Sequence, residues 1–471
     1  MLIDVIINNF EEVSIFAIFL GILIAVHEWG HFITAKKLGI QVDEFAIGFG
    51  PTLIKKFYNG TTYMLKLFPL GGYVRMAGDE RDKCTGDPKE FYSKPVGNRA
   101  LVVFNGPLIN FALAYVCLVF VYMIGHENLA PRINWLETGM PAQQAGLQKG
   151  DEIIEINNER VFYMKEVLDN IQNSEGEKLS VKIMRSGQEI NFVVPVVTKH
   201  EKNMYGRMDD LRFIGLDTLP NVIGGFAQGS PAQEAGLEVG DTIIEIDSKP
   251  IAGWMDIQKA VESAQNDTIQ VKILRDGQVI SKDITPKTIG EGGQARRLIG
   301  IGPEQDLKAL GDPDFAKVKH RFGLIEALKR GTKDFLEISG MTYNAIYSML
   351  TGTMSAKDNI GGPVLIYNIV VDAKEEGFSY FLFILGVISL NLAIFNLLPI
   401  IPLDGGHLFM MAIEKIKGSP LPAKVENIIG NVGFSLIILL ALYVFYIDFA
   451  RIGLIDSIKN LPSKISQSVS Q

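Results

Sequence analysis

The feature that most constrains this chain is an HExxH motif, His27 to His31, inside an apolar stretch. Residues 13–26 carry no charge, and the apolar character continues through residues 32–35. Ionisable side chains at membrane depth are costly unless a partner compensates them. A helix places His27 and His31 on one face, where both imidazoles can bind one Zn²⁺. Glu28 is predicted to act as the general base on a metal-bound water.

A signal peptide or a plain membrane anchor is the alternative interpretation of this segment. Residues 1–26 contain no Lys or Arg, so the basic region that opens a signal peptide is missing. No small-residue cleavage motif closes the stretch. The pattern therefore favours a metal site within a membrane helix.

The composition narrows the class of protein. The chain has 471 residues, of which 47% are hydrophobic, and a net charge of −8, which argues against a nucleic-acid partner. The two cysteines, Cys84 and Cys117, have no partner at metal-ligand spacing. We therefore expect nitrogen and oxygen atoms to bind the metal.

Four segments are apolar and long enough to cross a bilayer, which takes about 20 helical residues. They cover about residues 13–35, 101–124, 380–398 and 432–447.

The basic residues predict how these spans are oriented. Lys and Arg are frequent between residues 36 and 99, which predicts a cytoplasmic first loop and an external N-terminus. Alternation then places residues 125–379 and the C-terminus outside, and residues 399–431 inside. The HExxH motif lies toward the cytoplasmic end of the first span.

The third metal ligand is predicted after the third span. Catalytic zinc usually has three protein ligands and a position for water. Asp404 follows Pro399 and Pro402, which interrupt the helix. The topology brings Asp404 to the same side as HExxH, which favours it as the ligand. A capping aspartate in a surface loop and His407 as the ligand are the alternatives.

Asparagines on the spans form a further group of candidates. Buried amides without partners are costly, so we expect these to bind the backbone of an extended substrate or to join helices. They are Asn105, Asn110, Asn391 and Asn396.

Residues 61–78 are predicted to form a membrane-associated β-hairpin. Alternating β-branched and aromatic residues run from Thr61 to Met76, and the Pro69-to-Gly72 segment predicts a turn. Such a hairpin could offer an edge strand to an extended substrate. A small surface hairpin is the alternative.

The segment between the second and third spans contains a tandem repeat. The sequence from Gly139 recurs from Gly229, 90 residues later, and the same offset relates Val181 to Val271. A constant offset indicates two duplicated domains. We predict mixed-β domains at residues 127–215 and 216–305, with helices at about 164–173 and 254–264. An amphipathic connecting region (306–379) and a polar tail (448–471) complete the organisation. Within the connecting region, residues 322–355 are expected on the membrane surface, against the repeats, or as a core helix.

Several motifs together resemble the site-2 protease family of intramembrane zinc metalloproteases. They are HEWGH at 27–31, GFGP at 48–51, PLGGYVRMAGDE at 69–80 and NLLPIIPLDGGH at 396–407. The resemblance covers nearly the whole chain. It implies a polytopic α-helical membrane protein with about four transmembrane helices, a membrane-associated β-sheet and two tandem mixed-β PDZ domains.

The resemblance also implies roles for single residues. The zinc ligands fall on His27, His31 and Asp404, and the catalytic glutamate on Glu28. The membrane-reentrant β-loop falls on about residues 61–78. Substrate binding falls on Asn396 and Pro399, and within the β-loop on Gly71 and Gly72. The peptide-binding residues of the PDZ domains stay unassigned.

Substrates and location follow from the same resemblance. Bacterial members cut the membrane span of a single-span anti-sigma factor after a first protease has trimmed it, and they clear remnant signal peptides. The implied location is the inner membrane, with the PDZ pair and both termini in the periplasm. The PDZ pair would exclude untrimmed substrates.

Two other classes fit the sequence less well. A PDZ scaffold with an inactive membrane part would lack Glu28 or a ligand, and this chain keeps all four residues. A metal transporter would carry polar residues across several spans.

Overall fold

A computed structural model describes residues 10–81, 84–203, 205, 207–217, 220–227, 229–251, 253–289, 296–304, 317–354, 360–420 and 422–451. The chain forms two compact units. The membrane unit comprises Met1–His126 and Arg321–Gln471, and the repeat unit comprises Glu127–His320.

The helices among the described residues are numbered in chain order. They are α1 (Phe10–Lys37), α2 (Val96–Ile124), α3 (Pro141–Gln144), α4 (Met164–Gln172), α5 (Pro231–Glu234), α6 (Trp254–Ser263), α7 (Leu324–Leu350), α8 (Pro363–Glu375), α9 (Phe378–Asn396), α10 (Asp404–Lys417) and α11 (Ala423–Arg451).

The strands are numbered in the same way. They are β1 (Val42–Tyr58), β2 (Thr61–Met76), β3 (His126–Leu129), β4 (Trp135–Leu136), β5 (Glu152–Ile156), β6 (Glu159–Arg160), β7 (Lys178–Arg185), β8 (Gln188–Pro195), β9 (Val197–Lys202), β10 (Met208–Phe213), β11 (Leu216–Asp217), β12 (Ile223–Phe226), β13 (Thr242–Ile246), β14 (Lys249–Pro250), β15 (Ile269–Arg275), β16 (Gln278–Ile284), β17 (Lys287–Ile289), β18 (Arg296–Leu298), β19 (Ile301–Pro303) and β20 (Lys317–His320).

Four helices are long and apolar enough to span a membrane, which confirms the predicted number. They are α1, α2, α9 and residues Ile428–Asp448 of α11. Helix α1 extends beyond its apolar run at both ends. Its first turn carries Glu11 and Glu12 and its last turn Lys36 and Lys37, charges that suit the two ends of the helix dipole. The polar tail was predicted to begin at residue 448, but α11 continues to Arg451. Residues 452–471 lie outside the described residues.

The β-structure of the membrane unit differs from the prediction. The hairpin turn lies at Asn59 and Gly60, whose positive φ angles of 47° and 75° suit a two-residue turn. Strand β1, which was not predicted, pairs with β2. The predicted turn at residues 69–72 is wrong as a strand boundary, because β2 continues through it. Ile47 nevertheless pairs with both Leu65 and Gly72. Strand β2 therefore bends, and its two halves lie on opposite sides of this part of β1.

The core of the membrane unit joins helices that are distant in sequence. Phe19 and Leu23 of α1 pack with Cys117 of α2 and Leu385 of α9. Lipid tails are as apolar as these side chains, so close van der Waals packing, rather than transfer from water, holds such helices together.

The amphipathic segment forms α7 and packs on other helices of the membrane unit. Phe335 contacts Phe111 of α2, with ring centroids 6.0 Å apart. Thr342 Oγ1 donates a hydrogen bond of 2.7 Å to Asn391 Oδ1 of α9. Among the alternatives for residues 322–355, these contacts favour a packed core helix. Residues 306–316 and 355–359 of the connecting region lie outside the described residues.

The repeat unit contains two four-stranded sheets of the same topology. Their strand orders are β6-β5-β7-β8 and β14-β13-β15-β16. Helices α4 and α6 occupy equivalent places, each within one residue of its predicted bounds. Each copy has its own buried core, one around Ile153 and Val181 and the other around Ile243 and Val271. The shared topology agrees with a duplicated domain.

Candidate metal centre

Three predicted ligands converge in the membrane unit. His27 Nε2 lies 3.2 Å from Asp404 Oδ2, and His31 Nε2 lies 3.6 Å from the same oxygen. The two Nε2 atoms are 3.3 Å apart. Among the described residues, these three form the one cluster of metal-ligating side chains within 4.8 Å.

Local structure explains why Asp404 reaches the histidines. It is the first residue of α10, after the chain has left α9. A Cβ on Gly405 would overlap the main chain of Leu397 and Leu398, so this glycine permits α10 to begin against the end of α9. The glycines after Asp404 therefore serve close backbone packing.

The donor set fits a zinc ion. Asp404 Oδ2 is buried and has no hydrogen-bond partner, although two imidazole nitrogens face it. A buried carboxylate oxygen without a hydrogen bond is costly unless a cation is present. Two histidines and one carboxylate form a donor set known for catalytic zinc.

Helix α2 contacts both histidines. His31 Nδ1 donates a hydrogen bond of 2.9 Å to the main-chain oxygen of Val102. A Cβ on Gly106 would overlap the His31 ring and lie 3.0 Å from His27 Cε1. Asn110 Nδ2 lies 3.4 Å from His27 Nδ1. Glycine at position 106 is thus required for the close approach of α1 and α2.

Strand β2 passes directly beside Glu28. A Cβ on Gly72 would lie 2.9 Å from Glu28 Cγ and 2.9 Å from Ile24 Cγ2. Glu28 is half-buried. The predicted catalytic residue and one predicted substrate-binding residue are therefore neighbours.

The other predicted site residues lie outside the three-residue cluster. Asn396 ends α9 and is half-buried, and Pro399 is exposed just after it. Gly71 has a φ of +141° and lies against the Phe49 ring. His407, the alternative ligand, is exposed on α10.

Two of the candidate asparagines join helices. Asn105 Nδ2 donates a hydrogen bond of 3.1 Å to the main-chain oxygen of Gly30. Asn391 accepts from Thr342. For these two residues, the contacts favour the helix-joining alternative.

A buried ion pair that holds α10 was not predicted. Arg99 Nη2 of α2 donates to Glu414 Oε1 of α10 at 2.7 Å, and both residues are less than one-tenth exposed. Arg81 Nη2 lies 3.4 Å from Glu414 Oε2, and the Tyr92 ring lies 4.7 Å from the Arg81 guanidinium. The sequence did contain a signal, because Arg99 is a charged residue in the first turn of an apolar helix. It gave no indication that Glu414 is its partner.

A pair of HExxH histidines, a distant aspartate and a glutamate beside a strand, all among apolar helices, define a membrane-embedded metalloprotease. The model of peptidase family M50 matches residues 15–440. The chain belongs to this family and is a zinc metalloprotease of the site-2 type.

Curated relatives match over almost their whole length. The regulator of sigma E protease of Salmonella typhi is 30% identical over 449 residues, which cover 94% of this chain and 99% of that protein. The regulator of sigma-E protease RseP of Escherichia coli K12 is 29% identical over the same shares. A putative zinc metalloprotease of Pasteurella multocida is 29% identical over 93% of this chain and 98% of its own length.

Proposed function

We propose that this intramembrane protease cuts peptide bonds within the membrane spans of single-span proteins. His27, His31 and Asp404 bind the zinc, and Glu28 is the general base. The observation that carries this proposal is the convergence of the three ligand atoms within 4.8 Å, among apolar helices.

The chemistry divides between the metal and the chain. Bound zinc polarises a carbonyl and lowers the pKa of a water. Glu28 takes the proton of the attacking water and delivers it to the leaving amine, so that one carboxylate acts first as base and then as acid. Its half-buried position beside Gly72 keeps the carboxylate close to a strand rather than to open lipid.

Strand β2 is proposed to hold the substrate. Helical carbonyls are shielded by their own hydrogen bonds, so a substrate helix must unwind before hydrolysis. The segment from Gly72 to Met76 pairs with β1 on one side, and among the described residues no third strand joins this sheet. An unwound substrate can add to such an edge as a further strand. Gly71, Asn396 and Pro399 are proposed to line its path.

The physiological substrates are proposed from the relatives. Their names as regulators of sigma E protease support an anti-sigma factor as substrate, and we add remnant signal peptides. We propose that the protein lies in the inner membrane, with the repeat unit and both termini in the periplasm and the metal centre toward the cytoplasm. The two repeats are proposed to be PDZ domains that exclude untrimmed substrates. Deletion of residues 127–305 should then allow cleavage of untrimmed substrates.

The test of the catalytic assignment is Glu28→Gln in the full-length protein. Gln cannot accept the water proton, so cleavage of a single-span reporter should fall to background while one zinc per chain is retained. Glu12→Gln, at the other end of α1, is the control and should cleave normally. Cleavage by the Glu28→Gln variant at the unmodified rate would contradict the proposal.

A further inference from the structure

One face of α2 follows the two histidines of α1. Val102, Gly106 and Asn110 are spaced by four residues, as His27 and His31 are. The helices run in opposite directions, so that Val102 contacts His31 and Asn110 contacts His27. Gly106 lies against both rings. Each candidate ligand therefore has its own partner on α2.

The partner of His31 determines its tautomer. A main-chain oxygen can only accept a hydrogen bond, so Nδ1 of His31 carries the proton. Its Nε2 then keeps a lone pair, and this nitrogen faces Asp404. A histidine that binds a metal through one nitrogen normally donates the other N–H to such an acceptor.

The partner of His27 is a side chain that can donate or accept. Asn110 is fully buried, with Nδ2 3.4 Å from His27 Nδ1. Its Oδ1 is also buried and has no hydrogen-bond partner. If the Asn110 N–H donates to His27 Nδ1, then Nδ1 is the acceptor and the ring proton of the neutral imidazole is on Nε2. In that tautomer, Nε2 has no lone pair for a metal. Rotation of the amide by about 180° presents Oδ1 to His27 instead.

We propose that Asn110 is a positioning residue whose Oδ1 accepts the Nδ1–H of His27 and holds this ring in the tautomer that binds zinc. The inference rests on the proposed role of His27 as a ligand. It assigns Asn110 neither to the substrate nor to helix joining, the two alternatives considered for the asparagines. The fully buried amide beside His27 Nδ1, and the lone pair that a ligand needs on Nε2, carry the assignment.

The test uses Asn110→Leu and Asn110→Asp in the full-length protein, with zinc affinity measured by chelator competition. Leu removes the acceptor, and loss of such a partner weakens metal binding roughly 10- to 100-fold. Asp keeps an acceptor and removes the donor, so its zinc affinity should equal or exceed that of the unmodified protein. Equal affinity of Asn110→Leu and the unmodified protein would overturn the proposal. If the Asn110→Leu variant does not fold, the Asn110→Asp variant is the decisive one. A tenfold loss of zinc affinity in Asn110→Asp would then overturn the proposal.

Cleavage kinetics separate positioning from substrate binding. For Asn110→Leu, cleavage should recover as free zinc is raised, with KM unchanged. A raised KM at saturating zinc would instead assign Asn110 to the substrate and overturn the proposal. Ser389→Ala is the packing control, because Ser389 Oγ donates to the main-chain oxygen of Asn110 at 2.9 Å and does not depend on the amide. Absence of stoichiometric zinc from the unmodified protein would refute the proposed function itself.

Discussion

The repeat unit and the membrane unit bury charged groups in different ways. In the repeat unit, Asp151 accepts from Arg185 at 2.7 Å, and Asp241 accepts from Arg275 at 2.6 Å. Both pairs join residues 34 apart in sequence. In the membrane unit, Arg99 and Glu414 are 315 residues apart. Each of these two ion pairs thus lies within one repeat, whereas the metal centre depends on the packing of distant helices.

This difference predicts where substitutions act. Changes near the metal centre should alter zinc binding without loosening the repeats. Changes to a repeat's ion pair should loosen that repeat and leave zinc binding intact.

The largest effect is expected for Asp404→Asn. Asparagine cannot supply the anionic ligand, so zinc content should fall to background and cleavage with it. His407→Ala, which changes the alternative ligand, should keep both. Metal analysis and reporter cleavage measure these outcomes, and hydrogen exchange of the repeat unit should not change. Retained zinc in Asp404→Asn together with its loss in His407→Ala would reverse the ligand assignment.

Gly106→Ala tests whether helix packing limits the centre. The new methyl group would overlap the His31 ring, and overpacking of this kind costs about 1–3 kcal/mol. We expect zinc affinity to fall about tenfold. Gly97→Ala in the same helix is the matched control, because a Cβ there meets nothing within 4 Å. Equal zinc affinity of the two variants would show that α2 does not constrain the histidines.

Asp241→Asn tests the ion pair of the repeat unit. Loss of a buried ion partner costs about 3 kcal/mol, so amides of the second repeat should exchange faster while zinc affinity stays the same. Asp151→Asn should have the same effect confined to the first repeat. Spread of faster exchange into α1 or α2 would contradict the independence of the two units.

The same variant has a defined pH dependence. Burial would raise the pKa of Asp241, but hydrogen bonds from Arg275 and from the main-chain N–H of Glu238 hold it below its usual value. A lowered folded-state pKa contributes stability above the ordinary value of about 4, and this contribution is lost as the pH falls further. The difference between the unmodified protein and Asp241→Asn should therefore be full at pH 7 and shrink below about pH 4.

Local patterns in the sequence predicted much of this structure. The apolar runs predicted the four spans, because bilayer thickness requires about 20 apolar residues and composition shows which segments reach that length. The constant offset gave two copies of one topology, and α4 and α6 followed within a residue. The spacing of His27 and His31 placed them on one helical face, and Asp404, which the sequence predicted as the third ligand, lies beside them in the structure.

Apart from the convergence of Asp404 on the two histidines, the sequence did not predict the contacts between distant segments. Hydrophobicity identifies a span but does not give its rotation, so the alignment of Val102 and Gly106 with the histidines was not predicted. The bend in β2 puts Leu65 on one side of Ile47 and Gly72 on the other, and it depends on pairing with β1. The alternation of side-chain types within β2 does not specify that pairing. Asn110 was identified only as a polar residue on a span.

The hydrogen bond from His31 to a main-chain oxygen also bears on how the centre tolerates mutation. Every amino acid at position 102 supplies the same carbonyl, so no codon change there removes that acceptor directly. In the proposed arrangement, His27 depends on the side chain of Asn110, and among the amino acids that a single-base change can put at position 110, only Asp keeps an oxygen at the Oδ1 position. The two histidines would therefore differ in how easily a point mutation removes their partner. Variants that inactivate the protein should be found more often at position 110 than at position 102.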